Sequence, residues 1–282
     1  MKYYVVIPAH DEEKYIAKTL DSLTSQTVLP SSVVVVDDHS NDRTAKIALS
    51  YVEKFDYINM VHKESDSAHL PGSKVIKAFN LGLSGLDENY DVIVKLDADL
   101  ILPTNYFEKI LKAFKSDPKI GMAGGFAYIE KNGNWELESL ADKDHIRGAF
   151  KAYRKECFRD IGGLRTAMGW DTADELLAQY HGWKIHTDES LIVKHLKATG
   201  ANYNQEARYK QGESFYTLGY GFAITLVASA KLAMKKKQPK LFLDYVKGYQ
   251  MAKANETEML VNKLEADFIR KLRWKKMRNK LF

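Results

Sequence analysis

Three short acidic segments have the residue types and spacing to hold a cation and a diphosphate. They are Asp97-Ala98-Asp99, Asp37-Asp38 and the run Pro8-Ala9-His10-Asp11-Glu12-Glu13. Residues two apart in an extended backbone point the same way, so Asp97 and Asp99 present two carboxylates on one side. One can hold Mg²⁺ or Mn²⁺, while the other reaches a ribose hydroxyl or a metal-bound water. Hard divalent cations want oxygen ligands and commonly bridge to phosphate oxygens. As a tripeptide, Asp-X-Asp is close to noise. Its weight comes from position, because each segment directly follows a short apolar, β-branched run.

Those runs are the elements that must position the carboxylates. Tyr3-Tyr4-Val5-Val6-Ile7, Val33-Val34-Val35-Val36 and Val92-Ile93-Val94-Lys95-Leu96 read as strands, with a weaker one at 57–61. Between them, 12–23, 41–54 and the segment from Ser73 through Leu86 carry apolar residues at helical spacing. Ser40 or Asn41 is the expected cap of the second helix. Pro103 opens another helix with Phe107, Ile110, Leu111 and Phe114. Further strands are expected at 120–129 and 148–153, and a helix at 171–180. Strand–helix alternation implies an α/β fold with a mostly parallel sheet and helices on both faces. Ligands of such sheets bind outside the carboxyl ends of the strands. At least six carboxylates therefore meet at one edge, where they repel and raise one another's pKa values. Such a cluster calls for a cation or a set of donors.

Competing α/β chemistries find no support. Pro8 to Glu13 contains no glycine, so the Gly-X-Gly-X-X-Gly turn of a dinucleotide enzyme is missing. No glycine-rich turn ends in Lys-Ser or Lys-Thr, and no Gly-X-Ser-X-Gly elbow occurs. One cysteine, Cys157, allows neither a disulfide nor a zinc cluster and fits a reducing compartment. No signal peptide or run of ~18 apolar residues is expected, which suggests a cytoplasmic location.

In this order and spacing the motifs resemble the family 2 glycosyltransferases, inverting enzymes with the GT-A fold. The resemblance covers roughly residues 3–222. Val6 to Glu13 is similar to the family's opening strand and loop. Val36-Asp37-Asp38-His39-Ser40 resembles the motif whose aspartates approach nucleobase and ribose. Asp97-Ala98-Asp99 matches the metal motif. Arg147-Gly148-Ala149-Phe150, followed by Ile161-Gly162-Gly163-Leu164, resembles the segment before the catalytic acidic motif. Gly169-Trp170-Asp171, with Gly182-Trp183 eleven residues on, then makes Asp171 the match for the general base. Many members carry Arg-Asn where this chain has Phe79-Asn80, so Lys74 becomes the candidate cation for the diphosphate. The resemblance implies a nucleotide-sugar donor held by Pro8, Ala9, Glu12, Asp37, Asp38, Lys74, Asp97, Asp99 and Arg147. It implies Mn²⁺ or Mg²⁺ at Asp99, Asp97 and His195, the last a strand-end histidine found near the metal in some members. The acceptor would be a glycan, glycolipid or lipid-linked hydroxyl. The Gln-X-X-Arg-Trp motif of processive synthases is missing. A nucleotide-sugar-binding protein without turnover is the alternative. Trp170, Trp183 and Tyr180 are candidates for sugar stacking, with core packing the expectation for at least two.

The expected division is a catalytic domain over 1–208 and a helical, basic region over 209–282. The first has a nucleotide-sugar half at 1–130 and an acceptor half at 131–208. Residues 231–282 hold 15 Lys/Arg against 5 Asp/Glu, while 1–230 hold 27 against 32. Basic charge beside Leu272, Trp274, Met277, Leu281 and Phe282 suggests helices lying on the inner face of an anionic membrane. Packing on the domain or on a second copy, giving a homo-oligomer, is the competing expectation. No nucleic-acid partner is expected.

Overall fold

A computed structural model describes residues 1–64, 73–138, 145–197 and 208–279. The expected tail residues Leu281 and Phe282 lie outside them. The chain forms two compact units. The first takes the described residues from Met1 to Leu164 other than Ser73, and from His181 through Lys197. The second takes Arg165–Tyr180 and the described residues from 208 onward. Packing thus groups 165–180 with the C-terminal helices rather than with the residues that precede them in the chain.

The first unit is a mixed sheet. Its strands are β1 (Tyr3–Ala9), β2 (Ser32–Asp37), β3 (Ile58–His62), β4 (Val92–Leu96), β5 (Leu100–Ile101), β6 (Ile120–Lys131), β7 (Asn134–Leu137), β8 (Phe150–Arg154) and β9 (Lys184–His195). Their order is β3-β2-β1-β4-β8-β6-β9-β5, with β7 paired to β6. The first four strands are parallel, as the alternation predicts. β8 enters antiparallel to both β4 and β6, and β5 runs antiparallel to β9. The two strand-rich regions are joined through this reversed strand, which no periodicity reveals.

Every residue of β1 is buried, so both of its faces are covered. α4 (Tyr106–Ser116) buries Phe107, Ile110, Leu111 and Phe114, and Tyr3 of β1 stacks on Phe107 with ring centroids 4.5 Å apart. Each such side chain contributes ~1.5–3 kcal/mol on full burial. α1 (Ile16–Thr24) turns Ile16, Leu20 and Leu23 inward as the spacing predicts. α2 (Thr44–Val52) begins later than expected, and neither Ser40 nor Asn41 caps it. The Asp42 carboxylate instead accepts from the Thr44 amide at 2.8 Å. α3 (Ser73–Ser84) buries Ile76 and Phe79. A methyl on Gly82 would come within 2.6 Å of Val6 and Val36, so glycine lets this helix lie close to the sheet. α5 (Lys155–Asp160) buries Cys157.

The second unit contains α6 (Trp170–Tyr180), α7 (Lys210–Thr217), α8 (Gly221–Lys235), α9 (Lys240–Ala254) and α10 (Lys263–Arg278). α7 and α9 meet with almost no side chain between them. A Cβ on Gly212 would lie 1.8 Å from the Tyr245 carbonyl oxygen, and one on Gly248 would lie 2.1 Å from that of Tyr209. α10 starts with a capping box in which Asn262 and Glu265 each accept from the other's backbone N–H. Tyr180 on α6 packs edge-on against Phe268 on α10.

Candidate functional site in the first unit and the acidic helix of the second

The carboxyl ends of β1, β2 and β4 do carry the acidic segments, but the structure sorts their carboxylates into different jobs. Asp11, Glu13 and Asp42 are stitches. The Asp11 amide donates to Ser40 Oγ at 3.1 Å, and the Asn41 amide donates to Asp11 Oδ1 at 2.7 Å. The Glu13 amide donates to Asp42 Oδ2 at 3.0 Å. Asp11 takes φ +52°, a left-handed conformation that an Asp side chain tolerates. These bonds lock the loop after β1 onto the loop after β2.

Asp37 and Asp38 form a second group. Asp37 is fully buried, and its Oδ2 lies 2.7 Å from Nδ1 of His62 at the end of β3. Lys63 Nζ donates to Asp38 Oδ1 at 2.8 Å. Asp37 and His62 stand level in the parallel register of β2 and β3. The ring of His39 lies 6.1 Å from that of His62. The acidic motifs contain the aspartates but neither His62 nor Lys63. The available signal was a polar pair ending the third strand at the height of Asp37.

The third group surrounds Asp97-Ala98-Asp99. The buried hydroxyl of Thr19 holds this turn by donating to the Ala98 carbonyl at 2.8 Å and accepting from the Leu100 amide at 2.9 Å. The Asp97 amide donates to the Ala149 carbonyl at 2.7 Å. Lys95 Nζ donates to Asp97 Oδ1. Lys95 is 1% exposed and stands opposite Lys151, which is equally buried, in the β4–β8 register. Burial raises the Asp97 carboxyl, the Lys95 ammonium pulls it back, and the Asp99 carboxylate pushes it up again. The net direction is upward.

Asp99 Oδ2 lies 3.3 Å from His195 Nε2, and both residues are almost inaccessible. His195 ends β9, where it stands opposite Leu100. Burial pulls its pKa down. The hydrogen bond and charge of Asp99, with Asp97 and Glu138 behind them, more than offset that and hold it above the ordinary value. Glu12 Oε1 accepts from Lys197 Nζ at 2.8 Å, while its Oε2 is buried with no hydrogen-bond partner. Burial raises the Glu12 carboxyl, Lys197 lowers it, and the charges of Asp99 and Asp97 raise it further. Arg147 lies 3.1 Å from Glu138 Oε2. Of the residues expected to bind the donor, Glu12, Asp97 and Asp99 therefore share one electrostatic neighbourhood. Pro8 and Ala9 line the end of β1, and Lys74 stands half-buried in the first turn of α3.

This third group suits a divalent cation that borrows part of its shell from a ligand. Among the described residues, no three His, Cys, Asp or Glu side chains form a cage able to hold a metal alone. Asp99 and His195 nevertheless provide an adjacent oxygen and nitrogen donor, and His195 Nδ1 and Glu12 Oε2 are buried with no hydrogen-bond partner. Mg²⁺ and Mn²⁺ are commonly held by one or two carboxylates, with phosphates and water completing the octahedron.

In the second unit, Asp171 lies in the first turn of α6, inside the helix rather than at its cap. Gly169, at φ +85°, supplies the carbonyl that receives the first helical N–H groups, from Thr172 and Ala173. Asp174 and Glu175 are buried one turn on. Burial raises the Tyr220 phenol, Arg273 lowers it, and the charges of Asp171 and Glu175 raise it. Arg273 donates to Tyr220 Oη and lies over its ring, 4.9 Å from the centroid. An acidic patch thus meets a Tyr–Arg pair that the sequence reading does not mention. Two of the three candidate stacking residues are committed to packing, and the half-buried third, Trp183, is held by a hydrogen bond. Trp170 is buried, Tyr180 rests on Phe268, and Trp183 Nε1 donates to Asp160 at 2.9 Å.

Comparison with known proteins is consistent with this layout. The chain is 28% identical over 203 residues to "Probable glycosyltransferase YdaM" of Bacillus subtilis, which covers 63% of this chain and 44% of YdaM. It is 24% identical over 218 residues to the O-antigen chain rhamnosyltransferase RfbN of Salmonella typhimurium, covering 69% of this chain and 66% of RfbN. The chain thus spans less than two thirds of these relatives' lengths. The mannosyltransferase PcManGT of Pyrobaculum calidifontis, solved in complex with GDP-Man and Mn²⁺, superposes with a TM-score of 0.59 at 17% identity. That match covers 100% of this chain and 81% of PcManGT. S. aureus TarS 1–349 in complex with UDP-GlcNAc superposes at 0.56 with 19% identity, covering 83% and 67%. These structures share the GT-A fold with this chain. Residues 4–166, more than half of the chain, match the family model described as Glycosyl transferase family 2, and the chain belongs to that family.

Proposed function

We propose that the protein transfers a sugar from a nucleoside diphosphate sugar to an acceptor hydroxyl, inverting the anomeric carbon in one displacement. The observation that carries this reading is the Asp99–His195 pair at the sheet edge, flanked by the unpartnered Glu12 oxygen. Asp99 and His195 would hold Mn²⁺ or Mg²⁺. When bound, the cation supplies a counter-charge for the departing diphosphate. Asp97, tied down by Lys95, is left to orient the donor's ribose. Asp37 holds His62 so that its Nε2 faces away from the carboxylate, where it can meet the nucleobase edge. Lys74 and Arg147 are the assigned cations for the donor. Asp171 is the assigned general base and takes the proton of the attacking hydroxyl. It lies beyond the span matched by the family model, and its place in the order of motifs supports the assignment.

The name of one relative, an O-antigen chain rhamnosyltransferase, favours a glycan acceptor. The basic C-terminal helices favour work at the cytoplasmic face of a membrane. Among the described residues no helix is long and apolar enough to cross one.

Release of nucleoside diphosphate from UDP-, GDP- and dTDP-sugars, measured with Mn²⁺ or Mg²⁺, tests the proposal. Asp99→Ala is expected to lower the rate by about 100-fold or more, the scale of losing a main electrostatic stabiliser. Equal rates for the variant and the wild type would overturn the assignment. Nucleotide binding with no transfer to any acceptor would replace it with a non-catalytic binding role.

A further inference from the structure

Among the large apolar side chains of the described residues, Met234 is the most exposed at 79%, and Leu243 follows at 67%, level with Leu264. Met234 and Leu243 flank the same chain reversal. Met234 lies in the last turn of α8, Leu243 in the first turn of α9, and residues 236–239 join the helices. Lysines surround them. Lys231, Lys235, Lys236, Lys237, Lys240 and Lys247 are all exposed. The one acid between positions 231 and 247, Asp244, is buried and lies 2.6 Å from Arg208 Nε.

The reversal is well formed. The Gln238 amide donates to the Ala233 carbonyl at 3.0 Å, and the Lys237 amide donates to that of Met234 at 3.0 Å. This is the pattern of a helix C-terminus closed by a left-handed residue, the position where glycine is usual. Here that residue is Lys237, at φ +54°. A lysine occupies a place that favours glycine, at the tip of a hairpin already rich in lysine.

We propose that the α8–α9 hairpin tip docks on an anionic lipid surface, with Met234 and Leu243 entering the acyl boundary and the lysines meeting lipid phosphates. Exposed apolar side chains ringed by cations suit an interface that is oily below and negative above. Long lysine side chains reach the headgroups from just inside such an interface. A second copy of this chain is the poorer occupant, because a symmetric contact would press lysines against lysines. A soluble polyanion would satisfy the lysines and leave Met234 and Leu243 in water. The inference makes more specific the membrane contact assigned to these helices above, and stands apart from the transfer chemistry.

Flotation of the full chain with vesicles tests it. Wild type is expected to float with vesicles of phosphatidylcholine containing phosphatidylglycerol and to stay behind with phosphatidylcholine alone. Met234→Ser/Leu243→Ser removes the apolar wedge and is expected to weaken binding about tenfold. Lys235→Glu/Lys236→Glu/Lys237→Glu is expected to abolish it. Both sets should keep the wild-type melting midpoint and donor hydrolysis, because these side chains lie on the surface. Failure of wild type to float would overturn the proposal, as would equal flotation of the Ser/Ser variant. Tight heparin binding that Ser/Ser leaves unchanged, without flotation, would assign the tip to a polyanion instead. Loss of all sugar-transfer activity in a wild type that still floats would overturn the functional reading alone.

Discussion

Lys95 interrupts an otherwise apolar strand, yet it is 1% exposed and its ammonium donates to Asp97. A buried charge is tolerable only when paired, and removing one partner leaves the other uncompensated. Lys95→Met is therefore expected to lower unfolding stability by about 3 kcal/mol in urea melts. Adding Asp97→Asn should recover part of that loss. A double variant no better than the single would show that the pair is not the source of the cost. The aspartates of the site were legible because Asp-X-Asp and Asp-Asp follow β-branched runs. The partners His62 of Asp37 and Lys197 of Glu12 were not, because those pairings span 25 and 185 positions and only the fold selects them.

At the scale of elements, the start of α2 shows where a local rule picked the wrong residue. Ser40 and Asn41 are good caps, but the helix starts at Thr44 after an uncapped Arg43, and the Asp42 carboxylate accepts from the amides of Thr44 and of Glu13 in the neighbouring loop. Burial alone would raise the Asp42 carboxyl. The donors from Thr44 and Glu13 outweigh burial and hold it below the ordinary value. The folded state then binds this proton less readily than the unfolded chain does. The stabilisation is complete above the unfolded value of about 4 and fades as pH falls through the folded one. Asp42→Asn is expected to cost about 1 kcal/mol at pH 7, the difference between hydrogen bonds to a charged and to a neutral acceptor. Its melting midpoint should approach that of wild type as the solution is acidified. A deficit that stays constant with pH would refute the electrostatic origin. Glycine spacing has the same character. A Cβ on Gly125 would lie 2.2 Å from the Leu191 carbonyl oxygen, a clash set by β9 and invisible from β6 alone.

For the whole molecule, charge separates by region: acidic through the residues that carry the donor motifs and basic at the C-terminal end. The donor edge gathers carboxylates that repel one another, so a bound cation and nucleotide should stabilise the native state. At a ligand concentration 100 times its dissociation constant the gain is about 2.7 kcal/mol. That should raise the melting midpoint by about 5 °C or more. The rise is expected with the correct nucleotide sugar plus Mn²⁺ and should vanish with EDTA. Equal midpoints with and without every nucleotide sugar would count against donor binding.

The sequence by itself determined the strands that run apolar from end to end, the helices between them and the acidic segments at their ends. These follow from side-chain periodicity and from the geometry of adjacent residues, which are local. It also marked the basic balance of residues 231–282. The tertiary structure alone decided that β8 runs against its neighbours and that residues 165–180 pack with the C-terminal helices. It alone showed which carboxylates are stitches and which pair with a histidine or a lysine, and that Met234 and Leu243 stand out at the hairpin tip. Those outcomes depend on burial and on pairings between residues far apart in the chain, and side-chain order carries no direct record of either.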